Sequence, residues 1–188
     1  QMCIRDRSND IRGLNYTYNA DGYIWKYLGV DKTTARAASE NDQNYIIYRL
    51  ADVLLMKAEA LIMQGHNEDA ADLIDRTRER AGLGETTLSD DRMVMLETLL
   101  VERQKEFFGE GKNWFDLLRI GLRSEQLNDT QYKTLFVEQA LKAVGASRQS
   151  LGRATLANSG SWYLPYSEDE LSKNPLLEQS DYYQSISN

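Results

Sequence analysis

Residues 102–119 read ERQKEFFGEGKNWFDLLR and set eight charged side chains among Phe and Trp. Two kinds of chemistry suit such a stretch. Glu102 and Glu106 stand four residues apart, so a helix puts them on one face, and a pair of carboxylates is the equipment of glycoside hydrolysis. A general acid also needs a cleft, which a single compact helix does not supply. The alternative is structural. At 100° per residue Arg103 falls in the middle of the apolar stripe Leu96, Leu100 and Phe107, with Glu106 and Glu110 along one edge. A guanidinium in that position must be paired. The expectation adopted is a buried ion-pair network in which Arg103 bonds Glu106, the first choice, or Glu110, joined by Asp116 and Arg119 from the next helix.

Other constellations fail on spacing. GEGK at 109–112 is half of a phosphate-binding loop, but Glu106 occupies the place of the first glycine and Asn113 that of Ser or Thr. His66 is the single histidine and falls in a turn, which leaves no His-based metal centre and no nucleophile and base pair. The residues therefore imply no catalytic group, no metal and no cofactor.

The elements that must position the charged stretch follow from periodicity. From Asn44 onward Ile47, Leu50, Ala51, Leu54, Ala58, Leu61 and Ile62 form one helical stripe, predicting a helix over 45–64. QGHNED is a short turn. Ala70, Leu73, Ile74, Thr77 and Ala81 make a second stripe over 68–81, ended by the glycines of AGLG. The two helices are expected to run antiparallel, with Leu54, Ala58, Leu73 and Ile74 mutually buried. A third helix is expected over 90–109, started by Asp90 and Asp91, then a short one over 114–119 and another over 129–144. Trp114 and Phe115 are assigned to the core. Residues 145–161, rich in glycine and serine, read as a surface loop. WYLP reads as an extended piece, and Ser167 with Glu170 as the capping box of a short helix ended before Pro175. Towards the other end, LNYTYNADGYIWKYL at 14–28 alternates around the turn-forming NADG, giving two short extended pieces.

The totals limit the function classes. The 188 residues are 41% hydrophobic and 27% charged, the balance of a folded domain. No apolar run approaches the roughly 20 residues of a spanning helix. A net charge of -7 argues against a nucleic-acid partner, which normally meets a basic face. Cys3 is the single cysteine, so the chain forms no internal disulfide. The opening MCIRDR has the look of a translated assembly artefact, and residues 1–11 are taken as non-native or disordered, with 12–188 as one domain.

Four blocks in order, YRLADVLLMKAEALIMQG, AADLIDRTRERAGL, ERQKEFFGEGKNWFDLLRIG and YLPYSEDELSKNPLLEQ, resemble the signature of the SusD/RagB family in its C-terminal half. Two departures stand out: Asn113 replaces the arginine usual before the family's Trp, and QSDYY replaces its QNPGY. The resemblance implies a mainly α, SusD-like fold with tetratricopeptide-like helix pairs, few short strands and long loops. It also implies a fragment of a longer surface lipoprotein of the Bacteroidota outer membrane, anchored through an N-terminal cysteine outside this chain. Such a protein binds oligosaccharide, or in some members peptide, without cleaving it, and partners a SusC-like TonB-dependent outer-membrane transporter. A tetratricopeptide-like peptide-binding scaffold and a glycan-cleaving enzyme are the alternatives.

Sugars are gripped by flat aromatic faces against C–H surfaces and by polar groups for hydroxyls. Tyr16, Tyr18, Tyr23 and Trp25 are the candidate ligand-binding residues on this ground. Packing on the helices competes with that role, since aromatics suit strands in any case. The aromatic residues Trp162, Tyr163, Tyr166, Tyr182 and Tyr183 are read as packing.

Overall fold

The computed structural model describes residues 10–13, 17–18, 24–27 and 44–186, the side chain of Trp25 excepted. The fold is mainly helical. Among the described residues there are eight α-helices, α1 (Leu50–Gln64), α2 (Asn67–Arg80), α3 (Arg92–Glu106), α4 (Asn113–Leu127), α5 (Thr130–Leu141), α6 (Ala146–Leu156), α7 (Glu168–Lys173) and α8 (Asp181–Ile186). Short 3-10 turns occur at Trp25–Tyr27 and Ser159–Trp162. Extended pairing is reduced, among the described residues, to one isolated antiparallel bridge between Tyr18 and Ile24. Of the expected extended pieces at 14–28, Trp25–Tyr27 is a 3-10 turn instead, and residues 14–16, 19–23 and 28 lie outside the described residues.

The chain forms two compact units, Gln1–Arg119 and Ile120–Asn188. In the first, α1 stops at Gly65, whose φ of 84° is natural only for glycine. The backbone N–H of His66 then donates to the Leu61 carbonyl at 2.9 Å, closing the helix end. Only Gly65 and His66 link α1 to α2, and helices packed side by side across so short a link run antiparallel. Ala51, Leu55, Ala58 and Ile62 face Ala70, Ala71 and Ile74, all buried. Small residues on both helices allow the close approach. The third helix packs on both, burying Met95, Leu96, Leu99 and Leu100. Its start is set by Asp91, whose side chain accepts from the Met93 N–H at 2.7 Å.

Several expectations need correction. Leu54 and Leu73 are only partly buried, while Ala58 and Ile74 are fully so. The first helix begins at Leu50 rather than 45, because Arg49 is extended with φ −149° and ψ 165°. Ile47 and Leu50 are then 67% and 68% exposed. Trp114 and Phe115 are not core: they are 39% and 66% exposed, since α4 turns Asp116, Leu117 and Ile120 inward instead.

In the second unit the expected loop over 145–161 is largely helix α6. Its ASRQSLGRATL holds Ala, Arg, Gln and Leu, all good helix formers, and its Gly152 sits where an added Cβ would come within 2.6 Å of Leu141 Cδ2. The core there is aromatic. The rings of Phe136 and Trp162 meet with centroids 4.4 Å apart, and the Trp162 indole N–H donates to the Leu156 carbonyl at 2.9 Å. Gly121 admits both rings, for a Cβ there would lie 2.9 Å from Phe136. Ser167 accepts from the Glu170 N–H at 3.2 Å and starts α7. Tyr163 and Tyr166 are about half exposed, and the Tyr183 hydroxyl donates to the Tyr163 carbonyl at 2.8 Å.

Candidate functional site

The charged stretch of α3 and the loop after it forms the polar centre of the first unit. Helical spacing carries Glu102 and Glu106 along one face. The helix ends at Glu106 because the next turn needs left-handed backbone: Gly109 and Gly111 have φ of 80° and 73°. Glu110 is therefore a loop residue, yet it is buried to 3% exposure, as Glu102, Arg103 and Glu106 are to 1%, 3% and 4%.

Each buried carboxylate meets cations. Glu102 accepts from Arg12 Nη1 at 2.6 Å and from the Thr77 hydroxyl at 3.1 Å. Glu106 accepts from Arg49 at 2.6 Å, from Arg12 at 3.1 Å and from Arg80. Its backbone carbonyl accepts from Lys26 at 2.7 Å and Arg49 at 2.6 Å. Glu110 takes Lys26 at 2.7 Å and three contacts from Arg49 between 2.9 and 3.2 Å. Arg12 is in turn held by Asp10 at 2.9 and 3.0 Å.

Arg103 belongs to a neighbouring cluster. It grips Asp116 through two donors, each at 2.8 Å, and Asp52 at 2.9 Å. The expected bond to Glu106 is absent because that carboxylate is taken by Arg12, Arg49 and Arg80. Asp52 also accepts from Lys112. Arg119 donates to Glu59 at 2.7 and 3.1 Å and to Asp116 at 3.1 Å. The Phe107 ring joins the clusters, with the guanidinium carbons of Arg49 and Arg103 both 4.8 Å from its centroid.

The electrostatics follow from this pairing. Burial opposes ionisation of Glu106, but Arg49 and then Arg80 outweigh it and hold its carboxyl below the usual carboxylate range. The same contest at Asp52 is won by Lys112 and Arg103, and at Asp10 by Arg12. Burial of Arg119 is likewise overcome, by Glu59 and Asp116, so its guanidinium is held still more firmly in the charged form. These groups are locked charges, suited to fixing helices rather than to moving protons.

The structure brings Arg103, Asp116 and Arg119 together, and Glu106 with Glu110 through the shared Arg49. Arg12, Lys26, Arg49, Asp52, Glu59 and Lys112 are partners that the sequence reading did not name. A signal existed for two of them: Asp52 and Glu59 repeat at the spacing of the buried Leu55 and Ile62. Of the candidate ligand-binding residues, Tyr18 is partly buried with its ring 5.5 Å from that of Phe108. Tyr16, Tyr23 and the Trp25 side chain lie outside the described residues. Among the described residues there is no cluster of His, Cys, Asp and Glu able to hold a metal ion, and no helix is long and apolar enough to cross a membrane.

A packed helix pair joined to a third helix through the ion pairs of Arg49 and Arg103 defines a mainly helical protein. The chain belongs to the SusD family, whose model matches residues 6–183. It is 37% identical over 89 residues to SusD-like protein P38 of Formosa agariphila, covering 43% of this chain and 18% of that one. With SusD-like protein P25 of the same organism the identity is 29% over 171 residues, 89% of this chain and 28% of the other. Among solved structures, a SusD superfamily protein of Bacteroides fragilis aligns over 85% of this chain and 32% of its own, at 27% identity and a TM-score of 0.59. One from Bacteroides thetaiotaomicron aligns over 96% and 36%, at 22% identity and a TM-score of 0.58, a likeness of fold. The chain thus spans less than a third of the length of these two curated relatives.

Proposed function

We propose that these residues are the C-terminal part of a longer nutrient-binding protein of the outer-membrane surface. The intact protein binds an oligosaccharide without cleaving it and passes it to a SusC-like TonB-dependent transporter. It is held to the membrane by a lipid on an N-terminal cysteine outside this chain. In this reading 12–188 is one family domain, and Tyr16, Tyr18, Tyr23 and Trp25 are candidate stacking rings. The observation that carries the reading is the family match over residues 6–183. The locked state of the charged cluster supports a non-catalytic role, because Glu106, Asp52 and Asp10 are all held as carboxylates rather than kept protonated for acid catalysis.

The test is recovery of the intact protein from outer membranes of a strain expressing the neighbouring transporter. Co-purification of a large β-barrel partner and binding on a glycan array, with no product released, are the expected results. Recovery without the barrel, or turnover of the bound glycan, contradicts the reading.

A further inference from the structure

A second aromatic surface lies well apart in sequence from the candidate rings at 16–25. Residues just before α1 and at the start of α4 enclose an open cavity of about 310 Å³, within the size range of small-molecule sites. Its aromatic walls are Tyr45, Tyr48 and Phe115, exposed by 68%, 72% and 66%. On this chain the three rings form a grouped apolar patch of the kind that marks a binding surface. Two of them are held in place. The Tyr45 ring stacks on Tyr27 at 6.4 Å with an interplanar angle of 11°, and Lys112 Nζ lies 4.8 Å above the Tyr48 ring.

The rest of the lining is apolar at Ile46, Ile47 and Met56 and ionic at six residues whose formal charges cancel. Asp52, Glu110 and Asp116 give −3, and Arg103, Lys112 and Arg119 give +3, for a sum of zero. Asp52 and Asp116 are paired with Arg103, Lys112 and Arg119, and Glu110 with Arg49 and Lys26 from outside the lining, so the charges are fixed in pairs without a net field that would select an ion. Aromatic faces beside a neutral, rigid array of donors and acceptors match a pyranose, which offers C–H faces and hydroxyls together.

We infer that the cavity walled by Tyr45, Tyr48 and Phe115 is a subsite for an uncharged sugar residue of the bound oligosaccharide. This rests on the glycan-binding reading and gives it a place and a charge class. The rings stack on the sugar, while Lys112 and Arg119, whose side chains keep 14% and 39% exposure, take its hydroxyls. Each cation of the lining already holds a carboxylate, which leaves none unpaired to receive a uronate.

The experiment uses the intact protein and calorimetric titration with neutral hexasaccharides of glucan, xylan and mannan, with oligogalacturonate as the acidic counterpart. At least one neutral hexasaccharide is expected to bind, Tyr48→Ala and Phe115→Ala are each expected to weaken it about tenfold with unchanged thermal unfolding, and oligogalacturonate is expected not to bind. If a neutral hexasaccharide binds and both variants bind it equally well, the subsite is overturned while glycan binding stands. If no saccharide of any class binds, both fall. Oligogalacturonate binding that Tyr48→Ala abolishes overturns the charge class. Access is tested with Tyr48→Cys, its labelling measured against that of the unsubstituted intact protein. Rapid maleimide labelling, slowed by the bound hexasaccharide, is expected, and a thiol that stays unreactive overturns the inference by showing that polypeptide covers the cavity.

Discussion

Arg49, the residue before α1, holds Glu106, the last residue of α3, by side chain and backbone at once: Nη1 reaches the carboxylate at 2.6 Å and Nη2 the carbonyl oxygen at 2.6 Å. One guanidinium thus fixes the end of one helix to the start of another across 57 positions of sequence. It also caps a carbonyl that the ending helix leaves without a partner. Replacing Arg49 by Ala strands Glu106 and Glu110 with fewer cations in a buried setting and should cost about 3 kcal/mol. Lysine should recover only part of this, since an ammonium cannot span two acceptors in a planar fork. Urea unfolding of the two variants checks both statements.

The crossing of α1 and α2 is set by small residues. Ala58 is fully buried there, and Ala58→Leu should overpack the contact and cost about 1–3 kcal/mol. Unchanged thermal stability would contradict the close pairing of these helices.

Gly121 plays the equivalent part in the second unit. A Cβ at that position would sit 2.9 Å from Phe136 Cγ and 3.1 Å from Trp162 Cζ3. Neither contact is with a flexible chain end. Gly121→Ala should therefore lower stability by about 1–3 kcal/mol despite the better helix propensity of alanine. Trp162 fluorescence during unfolding reports it directly.

Acid should loosen the first unit. Asp10, Asp52 and Glu106 have folded-state values depressed by their arginine and lysine partners. A depressed carboxyl contributes stability that is present above its unfolded value, about 4, and that is lost as pH falls through the folded value. Stability should change little from pH 7 to about 5 and fall steadily below about 4. Glu106→Gln should start less stable and show a shallower acid slope, measured by unfolding at a series of pH values.

How much of this was legible in the sequence depends on the range of the interaction. The α1–α2 pair was readable because periodic Ala and Leu positions and the stop at Gly65 are local signals. Arg103 in an apolar stripe states a need for a partner, but not which one: Asp52 lies 51 positions earlier. The nearer Glu106 looked the better choice only because its competitors, Arg12, Arg49 and Arg80, are invisible from one helix. Phe115 was misplaced for a related reason. Its helix has apolar and acidic residues on adjoining faces, and burial of Asp116 is decided by Arg103 of α3, outside that helix's pattern. Helix α6 was hidden by its glycine and serine content, although Gly152 is there to admit Leu141.

The clasp of Arg12 on Glu102 and Glu106 joins residues 90 and 94 positions apart, whereas α1 and α2 meet through a two-residue link. Contacts that close short loops form early in folding, and those that close long loops follow. The helix pair should therefore assemble first, with Glu102 and Glu106 still hydrated and awaiting their distant cations. On that order of events Arg12 acts as a latch, closed after the rate-limiting barrier. Its removal should speed unfolding while leaving the refolding rate nearly unchanged.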